Sequence, residues 1–328
     1  MTIFSENTRP VRLQRSELAV PATSEHFFEK AARGDADVIF LDLEDAVWPE
    51  HKERARSNAV AALNDINWAS KTMAVRVNAL DTPWAWRDII AVAENCPRLD
   101  MILLPKASCA SDIHFVETLL RGIEADIGRK TPIGIEALIE TAPGLAHVEE
   151  IAASSRRLEA LIFGVGDFSL SIGSRDPLTG GPSPLYKVLA APDASGFRTA
   201  YWGDPWHYAL GRILTACRAW GLRAIDGPFG DVRDVAGYRS SAERASALGF
   251  EGKWAIHPAQ VAPANEIFSP TLGELAWAER VGREMKAAPE AGAILIDGKL
   301  VDLAHLKMVD AITARQKLID ASRSESDK

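Results

Sequence analysis

Three carboxylates stand together at the end of a buried apolar run, at Asp42, Glu44 and Asp45. The run itself, 38–41, predicts a strand covered on both faces. Acids are poor strand formers, and burying them unpaired is costly, so these three are expected at the end of the strand. The carboxyl ends of strands are where α/β folds bind ligands. Carboxylates this close raise one another's pKa or share a cation or an arginine. The alternative is a cluster of acids at a helix N-terminus.

Two further apolar runs also end in an acid. Glu140 follows the run Ile133–Leu138, and Asp167 follows Ala160–Gly164. Carboxylate oxygens completed by water are ligands that Mg2+ accepts, because this ion keeps part of its hydration shell. His257 is the one histidine at these predicted strand ends, and no cysteine occurs there, so zinc is not expected. Either acid alone could begin a helix, but three acidic strand ends together predict a Mg2+ site, with Mn2+ as the alternative ion.

The third run contains a cation, Arg76, and is followed by an amide, Asn78, a further candidate for binding substrate. Alternation along a strand predicts that Arg76 and Asn78 share one face. A buried guanidinium needs an anion: either the acids form a plain salt bridge with Arg76, or its fork binds a developing enolate or carboxylate oxygen of a substrate. Lys106 and His257 end two other runs and are further candidates for substrate binding, with a solvated tip and a structural histidine as the alternatives.

The elements that must position these side chains are eight strand-like runs separated by helical patterns. This alternation favours a closed (β/α)8 TIM barrel, in which the carboxyl ends of all strands face one site. An open doubly wound sheet is the runner-up, but the first run is followed by no glycine-rich nucleotide-binding fingerprint. The runs are Leu18–Pro21, Val38–Leu43, Met73–Val77, Met101–Pro105, Ile133–Leu138, Ala160–Gly164, Arg223–Ile225 and Gly252–Ile256.

Two segments interrupt the alternation of strands and helices. A long insertion is predicted at 173–203, and a C-terminal extension follows the barrel, with a helix, a hairpin near 296–299 and a final helix. The extension is too small to fold alone, so it must pack on the barrel or on a neighbouring subunit. The predicted divisions are a flexible N-terminus (1–14), the barrel (15–268), the extension (269–322) and a disordered tail (323–328).

Bulk properties narrow the class of protein. The 328 residues carry a net charge of −8 with a pI near 5.5, which argues against general nucleic-acid binding. The three cysteines form neither a metal pattern nor a disulfide framework, as expected in a reducing compartment. No apolar run approaches the length of a membrane span, and no signal-peptide core is present. A cytoplasmic protein without nucleic-acid or membrane partners is predicted.

These residues resemble the HpcH/HpaI aldolase and citrate lyase beta-subunit (CitE-like) superfamily, and within it the malyl-CoA/β-methylmalyl-CoA lyases. The similarity extends over about residues 15–310. The matching stretches are Arg15-Ser16, L-D-L-E-D-A-V (41–47), V-R-V-N-A-L-D-T-P-W (75–84), L-P-K (104–106), I-E-T-A-P-G (139–144), G-V-G-D-F (164–168), D-P-W-H (204–207), D-G-P-F-G-D (226–231) and G-K-W-A-I-H-P-A-Q (252–260).

The resemblance implies a Mg2+-dependent carbon–carbon lyase that acts on a CoA thioester and an α-keto acid. By matching motif, Glu140 and Asp167 bind the metal, while Arg76 polarises the thioester carbonyl. Asp302, in I-D-G-K-L-V-D-L-A (296–304), matches an acid that such enzymes bring from the extension, often of a neighbouring subunit. The extension would then be a lid on a homo-oligomer, a trimer or a hexamer. Glu44 and Asp45 are implied to hold the waters of the metal.

The resemblance has one departure, in the loop after the first strand. Related lyases often carry P-G-S-R there, whereas this chain has P-A-T-S at 21–24, without the glycine or the arginine. Arg15 and Lys30 remain as basic candidates for binding CoA. The alternatives to a malyl-CoA-type lyase are a malyl-CoA thioesterase, a citryl-type lyase subunit, a CoA-independent aldolase and a catalytically silent binding subunit.

Overall fold

Eight parallel strands close into a barrel in the computed structural model, which describes residues 9–175, 179–181, 183, 185–287 and 292–326. The chain divides into two compact units, residues 1–265 and 266–328. The barrel confirms the predicted (β/α)8 fold, and each predicted run lies within two residues of an observed strand. The barrel strands, in their order around the ring, are β1 (Ser16–Pro21), β2 (Val38–Asp42), β3 (Thr72–Arg76), β4 (Met101–Leu104), β5 (Gly134–Ile139), β6 (Leu158–Phe163), β9 (Arg223–Asp226) and β10 (Gly252–Ala255).

Helices follow the strands and cover the barrel. The sequence predicts most of them, including a helical pattern at 143–153 that the structure divides into two helices at His147. The helices at Val165–Ser171 and Val261–Ile267 were not predicted. None of the helices in the described part of the chain has the length and apolar character needed to cross a bilayer. The helices of the first unit, with α10 continuing two residues past its limit, are α1 (Phe28–Ala32), α2 (Lys52–Asp65), α3 (Ala85–Asn95), α4 (Ala110–Asp126), α5 (Ala142–Ala146), α6 (Val148–Ala153), α7 (Val165–Ser171), α8 (His207–Trp220), α9 (Val235–Leu248) and α10 (Val261–Ile267).

The centre of the barrel is an apolar plug. Alternate residues of the strands point inward, and the buried members of this plug include Phe40, Leu103, Leu138, Ile225 and Trp254. Because the helices cover the outer face, the strands are buried on both faces, which explains their nearly continuous apolar sequences. The polar residues of the barrel interior are therefore confined to its two ends.

The predicted insertion carries a small hairpin of its own. Strands β7 (Lys187–Leu189) and β8 (Ala200–Trp202) pair antiparallel, with Lys187 opposite Trp202. The predicted insertion at 173–203 also includes residues 176–178, 182 and 184, which lie outside the described residues. The described part of the insertion exposes apolar side chains, among them Val188 and Phe197.

The second unit is built from two helices and a hairpin. Strands β11 (Ala293–Ile296) and β12 (Lys299–Asp302) pair through a turn in which Asp297 and Gly298 have φ of 51° and 75°, a left-handed conformation that favours glycine. Helices α11 (Leu272–Ala287) and α12 (Leu303–Ser326) pack with it through a small apolar core that contains Val281, Met285, Ile296 and Val301. The predicted helix–hairpin–helix order is present, and the role of this unit as a lid stays a prediction.

Both predicted chain ends need correction. Residues 9–14 do not form a free N-terminus, because Arg9 donates to the carbonyl of Leu158 at 2.6 Å and Arg12 pairs with Glu159 at 2.9 Å. At the other end, α12 continues to Ser326, so the predicted disordered tail is wrong for 323–326. The remaining residues of these two predicted segments, 1–8 and 327–328, lie outside the described residues.

Candidate active site

Arg76 and Asp42 form a buried ion pair at the carboxyl end of the barrel. The register of β2 and β3 sets them side by side, and the guanidinium makes a two-pronged contact, Nε to Oδ1 at 2.7 Å and Nη2 to Oδ2 at 2.6 Å. Burial by itself would raise the pKa of Asp42, but the charge and hydrogen bonds of Arg76 outweigh it and hold that pKa below its usual range. The guanidinium lies on the apolar plug, over Phe40 and Trp254.

The turn after β2 carries two more acids. Lys52 of α2 holds this turn by donating to the carbonyls of Leu43 and Glu44 at 2.8 and 2.7 Å. Glu44 is buried, and its Oε2 lies 3.2 Å from Nη1 of Arg76, whereas Asp45 is half exposed. Burial raises the pKa of Glu44, Arg76 opposes this, and the neighbouring charge of Asp45 adds to the rise.

Glu140 directly follows β5 and points into the same end of the barrel. It is buried, and its Oε1 accepts a hydrogen bond from the backbone N–H of Lys106 at 2.8 Å. Gly164 makes room for it, because a Cβ at position 164 would lie 2.4 Å from both Cβ and Oε2 of Glu140. Burial raises the pKa of Glu140 to about 8, and the charges of Glu44 and Asp167 contribute against the opposing effect of Arg76.

Asp167 lies in the first turn of α7, beyond the end of β6, and faces Lys106. Its Oδ2 is 3.1 Å from the ammonium nitrogen of Lys106, which also contacts Glu44 and lies 3.4 Å from Oδ1 of Asp45. The ends of β2, β5 and β6 thus bring together one group, called the acidic cluster from here on. Its members are Asp42, Glu44, Asp45, Glu140 and Asp167.

The acidic cluster contains carboxylate oxygens that the protein does not satisfy. Oε2 of Glu44 and Oδ2 of Asp167 are shielded from solvent, yet within the described part of the chain they accept no hydrogen bond, since the nearby cations approach them without donor geometry. Unsatisfied carboxylate oxygens suit a hard cation such as Mg2+. No group of three or more His, Cys, Asp or Glu among the described residues is already closed around a metal position. The donor set fits the ion, and water or substrate oxygens would have to complete it.

Comparisons with known proteins identify the family. The profile of the HpcH/HpaI aldolase/citrate lyase family matches residues 15–258. The chain is 42% identical over 321 residues to the L-malyl-CoA/beta-methylmalyl-CoA lyase of Rhodobacter capsulatus, covering 97% of this chain and 99% of that protein. The chain belongs to the HpcH/HpaI aldolase/citrate lyase family.

Other members of the family show similarity over nearly the whole chain. The (3S)-malyl-CoA thioesterase of Cereibacter sphaeroides is 34% identical over 94% of both chains. The crystal structure of the protein CitE from Mycobacterium tuberculosis, in complex with magnesium, acetoacetate and coenzyme A, is 28% identical with a TM-score of 0.70, covering 92% of this chain and 98% of that one. The predicted resemblance to this superfamily and to its malyl-CoA lyases is confirmed.

Of the predicted site residues in the first unit, six meet at the carboxyl end of the barrel: Arg76, Glu44, Asp45, Lys106, Glu140 and Asp167. Arg15 does not meet them. It precedes β1, at the amino end of the barrel, and its guanidinium binds Asp37 in two contacts of 2.8 and 2.9 Å. The predicted role of Arg15 in CoA binding is therefore corrected to a structural one, because a residue before a strand lies at the end opposite to the site.

Three other candidates stay outside the acidic cluster. The amide of Asn78 donates to Asp88 of α3 at 2.6 Å, so the predicted common face with Arg76 does not continue past the end of β3. His257 follows β10, and its Nδ1 accepts a hydrogen bond from the backbone N–H of Ala259 at 3.2 Å. This contact fits the alternative that His257 is a structural histidine, and its role in substrate binding stays a prediction. Lys30 is exposed on α1.

Asp302, the predicted acid of the extension, ends β12 in the second unit. Its Oδ1 lies 2.8 Å from Nδ1 of His305 and accepts from the backbone N–H of Ala304 at 3.0 Å. The contact with His305 lowers the pKa of Asp302. Its part in catalysis stays a prediction.

Sequence reasoning missed three supports of the site. A salt bridge between Arg76 and the acids was one predicted alternative, but Asp42 was not singled out as the residue that orients Arg76, although both residues end neighbouring strands. Lys52 anchors the acidic turn from a helix ten residues later, and Trp254 supports the guanidinium from the far side of the barrel. Only the first of these had a signal in the sequence, namely the equal position of the two residues in adjacent strands.

Proposed function

We propose that this chain is a Mg2+-dependent carbon–carbon lyase for 3-hydroxyacyl-CoA thioesters, with malyl-CoA, β-methylmalyl-CoA and citramalyl-CoA as the candidate substrates. It would release glyoxylate or pyruvate together with acetyl-CoA or propionyl-CoA, and would also catalyse the reverse condensation. The observation that carries the proposal is the buried Arg76 among five carboxylates, two of which have a buried oxygen without a hydrogen bond, at the end of the barrel where such enzymes bind substrate. The 42% identity with a malyl-CoA/beta-methylmalyl-CoA lyase over almost the full length supports it.

Glu140 and Asp167 would hold the metal ion directly, and Glu44 and Asp45 would hold its water molecules. When bound, Mg2+ supplies a Lewis acid for the carboxylate and hydroxyl or keto oxygens at the hydroxyacid end of the substrate. Glu140 is fixed for this task from two sides, by the N–H of Lys106 and by the space that Gly164 leaves. Asp167, in contrast, is partly exposed and can meet an ion that enters from solvent.

Arg76 would stabilise negative charge on the thioester. A guanidinium has five N–H donors, and Nε and Nη2 each commit one to Asp42, so donors remain on both terminal nitrogens. Cleavage moves the hydroxyl proton to a base, breaks the carbon–carbon bond and leaves its electron pair in the thioester enolate. A fixed, desolvated cation beside the carbonyl oxygen favours this charge without reorganisation.

Asp302 would exchange the proton of the enolate carbon. In the cleavage direction its protonated form gives a proton to that carbon, and in the condensing direction its carboxylate removes one from the methyl group. Because His305 lowers the pKa of Asp302, the carboxylate form is favoured, which suits the condensing direction. Asp302→Asn should reduce turnover at least about 100-fold in both directions. Asp297→Asn, at the tip of the same hairpin, is the matched control and should remain active; a fully active Asp302→Asn would remove this residue from the mechanism.

A thioesterase is the second candidate, because the chain is also 34% identical to a (3S)-malyl-CoA thioesterase. The test incubates the protein and Mg2+ with a panel of CoA thioesters, and measures glyoxylate, pyruvate and free thiol in the same samples. A lyase produces the keto acid in equal amount with acetyl-CoA or propionyl-CoA and no free thiol. Malate and free thiol without glyoxylate would instead identify a thioesterase.

The same assay, with free hydroxyacids and citryl thioesters added to the panel, covers the remaining alternatives. Cleavage of a free hydroxyacid would indicate a CoA-independent aldolase, an option that the loop Pro21–Ser24 keeps open because it lacks the glycine and arginine of related lyases. Turnover of citryl thioesters alone would indicate a citryl-type lyase subunit. A chain that binds acyl-CoA without any turnover would be a silent subunit.

We further propose a cytoplasmic homo-oligomer, a trimer or a hexamer, in which Asp302 of one subunit serves a neighbouring site. Cys96 and Cys217 are buried free thiols, which suits a reducing compartment. Mixing Asp302→Asn with Asp167→Ala subunits tests the shared site: activity recovered in the mixture supports it, and two inactive variants that stay inactive together contradict it.

A further inference from the structure

Lys106 occupies an unusual position, because a single residue contacts several members of the acidic cluster. Its ammonium lies 3.1 Å from Oδ2 of Asp167 and 3.4 Å from Oδ1 of Asp45, and it contacts Glu44. Its backbone N–H donates to Oε1 of Glu140. Lys106 therefore touches both acids that are proposed to hold the metal, one through its side chain and the other through its backbone.

The backbone of Lys106 is adapted to this double contact. It has a φ of 51°, a left-handed conformation that side chains other than glycine and asparagine rarely adopt. Two residues after the end of β4, this conformation lets the N–H face Glu140 while the side chain reaches across to the turn after β2 and to α7. A lysine that served only as a solvated tip would need no such backbone conformation.

The charges explain what the ammonium does there. Arg76 is committed to Asp42 and Glu44, and among the described ion pairs Lys106 provides the only one that reaches Asp167. Asp167 is also the proposed metal ligand with access to solvent. The oxygen that faces the ammonium, Oδ2, is one of the two solvent-shielded oxygens of the acidic cluster that accept no hydrogen bond, so Lys106 neutralises its charge without donating a hydrogen bond to it. A divalent ion would neutralise the charge of this oxygen and also bind it directly.

We propose that Lys106 is a tethered competitor of the divalent cation: its ammonium balances Asp167, Asp45 and Glu44 in the metal-free protein, and Mg2+ must displace it from Asp167 in order to bind. This inference rests on the proposed function, since it takes Asp167 as a metal ligand. Its consequence is that Lys106 sets the metal affinity of the site. The positive charge of the ammonium reduces the mutual repulsion of the carboxylates in the metal-free protein. The same charge opposes the binding of Mg2+ and so weakens it.

The test is calorimetric titration of the whole protein with MgCl2, without substrate, at fixed pH and ionic strength. Lys106→Met removes one positive charge that repels the ion. Without this repulsion, Coulomb's law predicts that Mg2+ binds about tenfold tighter or more. Lys106→Arg keeps the charge and should stay within about threefold of wild type. Lys130→Met makes the same change in net charge at an exposed position and should leave the affinity unchanged.

A second readout separates competition from a purely structural ion pair. Without metal, Lys106→Met should unfold at a lower temperature than wild type, because the acids lose their counter-charge, and saturating Mg2+ should raise its unfolding temperature by more than it raises that of wild type. If Lys106→Met does not fold, Lys106→Gln makes the same change in charge with a polar side chain.

The outcomes distinguish this inference from the proposed function. Wild-type protein that binds Mg2+, with Lys106→Met binding it equally or more weakly, overturns the competition and leaves the lyase proposal intact. Wild-type protein that binds no Mg2+ overturns both. Tighter binding in Lys106→Met together with unchanged binding in Lys106→Arg supports the competition.

Discussion

The two ends of the barrel both bury acids beside arginines, but they treat the acids differently. At the amino end, the side-chain amide of Gln14 donates to Glu17 at 2.9 Å and to Glu136 at 2.6 Å. Arg223 donates to the side-chain amide oxygen Oε1 of Gln14 at 2.7 Å and to Oε2 of Glu159 at 3.0 Å. These five residues are called the amino-end network. At the carboxyl end, the acidic cluster sets five carboxylates against Arg76 and Lys106.

The difference lies in what balances the surplus negative charge. Burial, together with mutual repulsion between Glu17 and Glu136, raises the pKa of Glu17, and burial also raises the pKa of Glu136. A proton shared by Glu17 and Glu136 can therefore reduce the negative charge of the amino-end network, without an ion from solvent. In the acidic cluster, Asp45 and Asp167 remain partly exposed, so an ion from solvent can supply the missing charge. Buried acids alone thus do not define a functional site; an unbalanced charge with access to solvent does.

The largest effect that separates the two ends is expected for Asp167→Ala. Asp167 is a proposed direct metal ligand, and loss of such a ligand removes several kcal/mol of charge stabilisation, so turnover of malyl-CoA should fall by at least about 10^3-fold, with no Mg2+ binding in a calorimetric titration. Glu136→Gln removes the carboxylate of an acid in the amino-end network and should leave both measurements near wild type. Near-normal Mg2+-dependent turnover in Asp167→Ala would remove the distinction between the two ends.

A second pair of variants compares the two arginines. Arg76→Lys keeps the charge but cannot repeat the two-pronged contact with Asp42, so kcat/KM should fall by about 10^2- to 10^3-fold. Arg223→Lys should lower the free energy of unfolding by about 1–3 kcal/mol through lost hydrogen bonds to charged groups, with little effect on kcat/KM. Steady-state kinetics and urea unfolding measure both quantities. The account fails if Arg223→Lys costs as much activity as Arg76→Lys.

The smallest expected effect is a dependence of stability on pH. An acid with a raised pKa binds more protons in the folded state than in the unfolded state, so the free energy of unfolding falls as pH rises between the two pKa values. For Glu140 this window runs from about 4.3 in the unfolded chain to about 8 in the metal-free protein. Glu17 and Glu136 add a fall in the same direction.

Mg2+ should separate these two contributions. In the proposed site the ion binds the ionised form of Glu140, so saturating Mg2+ should stabilise the protein more at pH 8 than at pH 5 and reduce the fall in stability. Glu17→Gln should flatten the metal-free pH dependence and keep the Mg2+ effect, whereas Glu140→Gln should lose the Mg2+ effect. Thermal unfolding at several pH values measures this; an Mg2+ effect that survives in Glu140→Gln would place the ion elsewhere.

The sequence predicted much of the fold because its physical signals are local. Each barrel strand is a short apolar run, and each run is bounded by polar residues, so the eight strands were located to within two residues. The acids at strand ends were also visible, because a charge directly after a buried run has few structural explanations. Helices α7 and α10 were missed, since Gly166, Ser169 and Ser171 make α7 a weak helix former and α10 contains Pro263.

The rest depends on contacts between residues far apart in the chain. The two-pronged contact of Asp42 with Arg76 follows from the register of β2 and β3, and the left-handed backbone of Lys106 follows from its surroundings. Arg15 and Asn78 were assigned to the site by motif and by alternation. The structure instead directs them to Asp37 and Asp88, because each lies beyond the end of its strand, where alternation no longer fixes the direction of a side chain.

The most direct test of the central claim is a crystal structure of the protein grown with MgCl2 and a keto acid. The account predicts one octahedral ion at about 2.1 Å from a carboxylate oxygen of Glu140 and of Asp167, with water or keto-acid oxygens completing the shell. Density that shows these two carboxylates pointing apart, with no ion between them at saturating Mg2+, would contradict it.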